Sequence, residues 1–483
     1  MTWVLTTYFL FALSISSHAY KLRGGVETTE ENFVRRAEKK GKFASNPSQD
    51  KEKKKKEIKG QKEKKETKGQ QGKKETKGQR EKKEMMGQKE KREKKKDPKK
   101  QKKKTPVLYD TDYGPFIDDV FALGLILNSA DLLDLKYIIA TSEDADLTSK
   151  CVATHLDLAG FSNIPVGSGE VLPPYSERGS VGAIPGLVGF TLKSKCEDVD
   201  LPFDKDGVLE AANMIMESKR NDWWYIIVGG QSSAKALIER FPEAAKKIET
   251  VVIMGGNWCS GFEPFPDMMA PTDETNIGYD PGAANFILDN SVSPFKNIYY
   301  APLEVADIIP GEDYTKFVDA ANSGSNKGAA VTLDFYKEWT AAGRANPDLL
   351  VHLQAMEYDP ETQSSPLFDP CAIMLALELL NKDCDDRLVL VEIDGVRFME
   401  AGEGVVFPDS PRPSFSLLPK SFEMDKLPDQ CPALTTYTFD PAETAAVEKR
   451  VSVALGYKSV EAKASFFAEM AARMAGETID KCI

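Results

Sequence analysis

Between residues 107 and 300 the chain alternates two kinds of apolar pattern. Compact runs rich in Val, Ile, Tyr and Trp read as buried strands: Val107 to Tyr109, Leu135 to Ala140, Ile164 to Val166, Trp223 to Val228, Ile248 to Met254 and Asn297 to Tyr300. Between them lie helices: the apolar segment Val120 to Leu127, and the amphipathic stretches Leu147 to Leu158, Val208 to Met216 and Ala234 to Phe241. Asp280-Pro281 opens another helix reaching Leu288, because Asp caps a first turn and Pro presets its backbone angle. Glycine and proline dominate from Gly167 to Gly189, which predicts a surface loop. Arg387 to Ile393 and Gly404 to Phe407 read as late strands.

Strand and helix taken in turn predict an α/β fold: a single large domain, residues 106–483, with a mainly parallel, Rossmann-like sheet covered by helices on both faces. Its strands leave into loops containing Asp, Glu, Asn or Ser. In a parallel sheet those exits share one edge, and the active site is expected there.

Charge divides the chain. Residues 1–105 carry 34 Lys+Arg against 15 Asp+Glu, the remainder 29 against 60, and the total is −12. Residues 20–105 are expected to be disordered. From Lys51 to Lys104 the sequence is nearly all Lys, Glu, Gly, Gln and Thr, with Gly-Gln recurring every nine residues at Gly60, Gly69, Gly78 and Gly87, and has no apolar face to bury. Such an arm serves either as a solubilising spacer or as a tether to an anionic surface or polymer. Ahead of it, the short apolar run Trp3 to Ile15 and the small residues around Ser17-His18-Ala19 predict a signal peptide over residues 1–19, hence a secreted or secretory-pathway protein. No other segment is long and apolar enough to cross a membrane. The seven cysteines (Cys151, Cys196, Cys259, Cys371, Cys384, Cys431, Cys482) lack CxxC spacing, which argues against a zinc module or a disulfide scaffold; their pairing is not legible from spacing.

The most informative stretch is the exit of the first strand. Asp110-Thr111-Asp112 ends the apolar run, and after Gly114 the pair Asp118-Asp119 opens the next helix. Four carboxylates so close together repel one another, and one helix dipole offsets only a fraction of that. A cation is expected to complete the site. The ligands are hard oxygens with neither Cys nor His nearby, so Ca²⁺ or Mg²⁺ fits better than zinc.

These residues resemble the inosine-uridine-preferring nucleoside hydrolases. That family's Asp-x-Asp-x-Gly-x-Asp-Asp is matched by Asp110-Thr111-Asp112-Tyr113-Gly114 and, two residues later than usual, Asp118-Asp119. Further blocks follow in order. Gly229 to Ser233 is similar to a Gly-Pro-Leu-Thr-Asn turn and Met254-Gly255-Gly256 to the central Met-Gly-Gly. Glu274-Thr275-Asn276-Ile277 with Asp280-Pro281 resembles Glu-Phe-Asn-Ile and Asp-Pro, and Pro366 to Pro370 the late His-Asp block. Glu392 to Gly395 with Val405 to Asp409 is similar to the closing β section. The resemblance implies Ca²⁺ held by Asp112, Asp119, Asp369 and the backbone carbonyl of Ser232, with Asp112 as general base. It implies Asp118, Glu274 and Asn276 on the ribose hydroxyls, Glu143 or Asp144 near another sugar contact, and a nucleoside substrate. It also implies assembly as a dimer or tetramer. Asp110 is expected to brace the loop.

There are departures. Phe368 stands where many relatives carry the His that protonates the leaving base. Of the other candidates, His155 sits in a helical pattern and is expected to be structural, and His352 has no local support. Trp258 is the aromatic best placed to stack on a base. Two competing readings remain in sequence: a sugar- or nucleoside-binding protein of the same fold with impaired catalysis, and a haloacid dehalogenase-type phosphatase. The second lacks that family's later Gly-Asp-x-x-x-Asp.

Overall fold

The computed structural model describes residues 103–172, 192–256, 274–309, 311–346, 356–381, 387–394 and 450–479. The expected signal peptide and most of the Lys-rich segment, Trp258, His352 and the expected strand Gly404 to Phe407 lie outside them. Among the described residues eight strands form one sheet: β1 (Thr105–Thr111), β2 (Leu133–Ser142), β3 (Val166–Val171), β4 (Trp223–Ile227), β5 (Ile248–Met254), β6 (Asn297–Ala301), β7 (Leu388–Asp394) and β8 (Arg450–Tyr457). Their order is β3-β2-β1-β4-β5-β6-β8-β7, and every neighbouring pair is parallel except β7 with β8. The expected mainly parallel α/β architecture is what the chain adopts.

The helices are α1 (Asp118–Asn128), α2 (Ala145–Ala159), α3 (Lys193–Cys196), α4 (Gly207–Glu217), α5 (Ser232–Arg240), α6 (Pro242–Ala245), α7 (Thr275–Tyr279), α8 (Pro281–Leu288), α9 (Gly311–Ser323), α10 (Lys327–Ala345), α11 (Asp369–Leu380) and α12 (Val460–Met474). The two-residue period of the strands sorts them into two layers. Val107, Tyr109, Ile226, Val252 and Met254 share one core with apolar residues of α1, α2 and α9 to α12. Leu108, Tyr225, Ile227, Val251 and Ile253 share the other with α4, α5, α6 and α8. Because both faces are covered, the strands read as continuous apolar runs. Helix α11 is buried from Asp369 through Glu378, which explains why its sequence is apolar all round.

One expectation needs correcting. β3 continues through Val171, into the stretch whose glycines suggested a loop. These glycines serve close packing. A Cβ on Gly167 would lie 2.3 Å from the Tyr137 hydroxyl, and one on Gly169 2.5 Å from the hydroxyls of Ser233 and Thr141.

Far along the sheet, the chain buries charge in balanced form. Arg387 pairs with Glu378 of α11 at 2.6 Å and with Glu469 of α12 at 2.9 Å. Arg473 pairs with Glu469 at 2.8 Å and with Asp131 at 3.0 Å. Cys151 of α2 and Cys196 of α3 form a disulfide, whereas Cys371 is a buried free thiol. Among the described residues no helix is long and apolar enough to cross a membrane.

Candidate metal centre and active site

The sheet order reverses direction at β1 and β4: the chain steps outward through β2 and β3 on one side, then through β5 and β6 on the other. Such a switch point leaves a crevice at the carboxyl ends of the strands. Asp112 follows β1 there, and Val228 to Gln231 follow β4. The two exits are pressed together: a Cβ on Gly229 would lie 2.9 Å from both the backbone nitrogen and Oδ1 of Asp112. Only glycine leaves room for that carboxylate. Gly114, with φ of 125°, turns the loop away from β1 towards α1 in a backbone conformation that L side chains rarely adopt.

Two helices begin in this crevice, α1 with Asp118 and Asp119 and α11 with Asp369. Ligand atoms of these three carboxylates all lie within 4.8 Å of one another, and all three residues are buried. Asp112, also buried, is a close fourth: its charge acts on Asp119 ahead of that of Asp118, and it acts on Asp369 as well. The Thr111 hydroxyl donates to Asp119, and Asp118 accepts from the backbone, including the N–H of Asp369 at 3.4 Å.

Burial, followed by repulsion from neighbouring carboxylates, pushes Asp119 and Asp369 well above the usual carboxylate range. Burial raises Asp118 to about 6 against the opposing backbone hydrogen bonds. The principal charges acting on Asp119 and Asp369 are all carboxylates. The positive ends of α1 and α11 supply about half a charge each at most. A hard divalent cation suits this donor set of buried acid oxygens.

The remaining predicted site residues divide by what their side chains already do. Asp110 is the expected brace: it accepts from Thr141 at 2.5 Å and Tyr225 at 2.7 Å, and burial raises it to about 7. Glu274 caps α7, its two oxygens accepting from the N–H groups of Asn276 and Ile277 at 2.8 Å each. Asn276 donates its amide to the carbonyl of Val228 at 2.7 Å and to the sulfur of Met254 at 3.0 Å, tying the exits of β4 and β5 together. Both are buried at the crevice edge of the sheet. Ser232 begins α5, and its hydroxyl donates to Asp280 at 2.7 Å. Glu143 and Asp144 are exposed after β2, with Asp144 capping α2 through the Leu147 N–H. His155 is fully buried and bonded at 2.9 Å to the hydroxyl of Tyr113, the structural role expected of it. Phe368 is half-buried beside Asp369 and packs on the core.

Sequence reasoning missed the supports. Thr111 lay inside the acidic motif and could have been singled out as a donor. Tyr225, Thr141 and Ser233 sit on other elements, joined to the site only by the sheet register that places β1 between β2 and β4.

Comparison with known proteins agrees with this geometry. Residues 107–453 match the family model described as inosine-uridine preferring nucleoside hydrolase. The pyrimidine-specific ribonucleoside hydrolase RihA of Citrobacter koseri is 28% identical over 303 residues, spanning 60% of this chain and 85% of that protein. RihA of Salmonella newport is 27% identical over 303 residues with the same coverage. Among solved structures, an inosine-guanosine nucleoside hydrolase shares the fold, with a TM-score of 0.51 at 14% identity over 78% of this chain and 99% of that one. The chain therefore belongs to the inosine-uridine preferring nucleoside hydrolase family, enzymes that act on N-glycosyl compounds.

Proposed function

We propose that this chain hydrolyses the N-glycosidic bond of ribonucleosides, releasing ribose and free base, with Ca²⁺ as the cation of the acidic crevice. The observation that carries the reading is the buried convergence of Asp118, Asp119 and Asp369, within 4.8 Å of one another, beside Asp112. Asp112, Asp119, Asp369 and the backbone carbonyl of Ser232 would hold the ion. When bound, such a cation lowers the pKa of a water and so supplies a nucleophile near neutral pH.

The chain's own residues do the rest. Asp112 would take one proton from the attacking water as the water's oxygen bonds to the anomeric carbon. The carbon–nitrogen bond breaks, and its electron pair leaves with the base. Asp118, Glu274 and Asn276 hold the ribose hydroxyls, with Glu143 or Asp144 at a further sugar contact. Carboxylates around the ring stabilise positive charge developing on the sugar in the transition state. Trp258 would stack on the base.

The Cys151–Cys196 bond supports passage through an oxidising compartment, as expected of a secreted chain. The Lys-rich segment would tether the enzyme to anionic polymers, and a homodimer or homotetramer is the assembly proposed. The RihA relatives are named for pyrimidine nucleosides, so uridine stands beside inosine and adenosine in the test. Ribose release is measured on all three with Ca²⁺ and with chelator. Turnover that chelator abolishes, and that Asp112→Ala lowers by about 10²–10⁴-fold, is expected. No turnover on any substrate by Ca²⁺-loaded protein, with Asp112→Ala indistinguishable from the parent, would contradict the proposal and favour a binding protein.

A further inference from the structure

Tyr109 lies on β1 two residues before Thr111, so the two side chains share one face of the sheet, the face covered by α1 and α11. Thr111 already reaches the acidic cluster, donating its hydroxyl to Asp119. Tyr109 is one step deeper on the same face and 0% exposed, and its hydroxyl has no hydrogen-bond partner among the described residues. The neighbouring Thr111 hydroxyl donates to Asp119 and also lies near enough to act on the Tyr109 phenol. The carboxylates whose charge the Tyr109 phenol feels are Asp119, Asp369 and Asp112.

A buried hydroxyl without a partner is destabilising, and a phenylalanine would fill the same space without that cost. An ordinary core position would therefore favour Phe. The donor without a partner instead sits on the sheet face that carries Thr111 to Asp119, where carboxylates that would hold a cation leave further oxygens to be satisfied.

Resting on the Ca²⁺ reading above, we propose that Tyr109 is a positioning residue for the cation site: its hydroxyl donates to the inward oxygens of the Asp119–Asp369 pair when the ion is bound. The hydroxyl then gains its partner only in the cation-loaded protein. Tyr109 thereby trades stability of the cation-free fold for affinity of the loaded one. Thr111 holds Asp119 from the loop side, Tyr109 from below, and the ligands are fixed from two directions.

The test is Tyr109→Phe, which removes one oxygen and keeps the ring. Ca²⁺ binding by the full chain is measured by calorimetric titration with calcium chloride, and melting is followed in chelator. The variant is expected to bind Ca²⁺ about 10–100-fold more weakly. Its melting temperature in chelator should equal or exceed the parent's. Tyr109→Leu, which also lacks the hydroxyl, should lose affinity similarly and separates that loss from ring packing. Ca²⁺ affinity of Tyr109→Phe within twofold of the parent's overturns the proposal, whatever melting does. A parent that binds no Ca²⁺ overturns both this proposal and the reading beneath it, so the two failures are distinct.

Discussion

The chain buries charge in two places and treats it in opposite ways. Around Arg387 and Arg473, three carboxylates and two guanidinium groups interlock, with separations of 2.6 to 3.0 Å that leave each ion paired. At the crevice, Asp112, Asp118, Asp119 and Asp369 are buried together, and the principal charges acting on Asp119 and Asp369 are those of their fellow carboxylates. Both arrangements carry a desolvation cost, which the first offsets with its paired guanidinium groups. The first ties α11 and α12 to the start of β7 and to Asp131 before β2, fixing elements far apart in sequence. The second holds an unfilled demand for positive charge at the sheet's switch point. A surplus of one sign, kept buried, marks the place where a ligand must supply the other.

Breaking the balanced network gives the largest effect. Arg473→Met leaves Glu469 and Asp131 without that partner, and is expected to cost about 3–5 kcal/mol of stability in denaturant titration. Turnover per folded molecule should be unchanged, because no residue of the crevice belongs to this network. A loss of activity without loss of stability would erase the distinction between the two regions.

The crevice should respond to pH instead. Its carboxyls are raised in the folded chain, Asp118 to about 6, above the unfolded value near 3.8. The folded state therefore binds more protons than the unfolded between those values. The stability contributed by each such group is fully present below pH 3.8 and is lost as pH rises through the folded pKa. Asp118 alone should therefore contribute a loss of stability between about pH 4 and pH 7 in cation-free protein. Adding Ca²⁺ should restore it, so the gain in melting temperature on adding Ca²⁺ is expected to be larger at pH 7.5 than at pH 4.5. An equal gain at both would show that the ion acts elsewhere.

Much of this was legible in sequence where the chemistry is local. Asp110 to Asp119 announced strand, acidic turn and helix because strand end, glycine and helix start fall within ten residues, and the structure bears out each. Asp369 was legible only through resemblance to a family block, since nothing near Pro366 to Pro370 points to residue 112. The Arg473–Asp131 pair spans 342 positions, so no spacing rule could find it. β3 was cut short in the reading because glycine signals a loop and a close approach alike, and only the neighbouring Tyr137 and Thr141 decide which. β8 was missed altogether: Arg450–Tyr457 follows a long stretch without clear periodicity, and its place between β6 and β7 is a matter of tertiary pairing.

The central claim is that the buried crevice carboxylates form one cation site. Its most direct test is anomalous density from crystals grown with calcium chloride. The account predicts a single ion bonded to Asp112, Asp119 and Asp369 at about 2.3–2.6 Å. No ion between these carboxylates at saturating Ca²⁺, or one bound elsewhere, would contradict it.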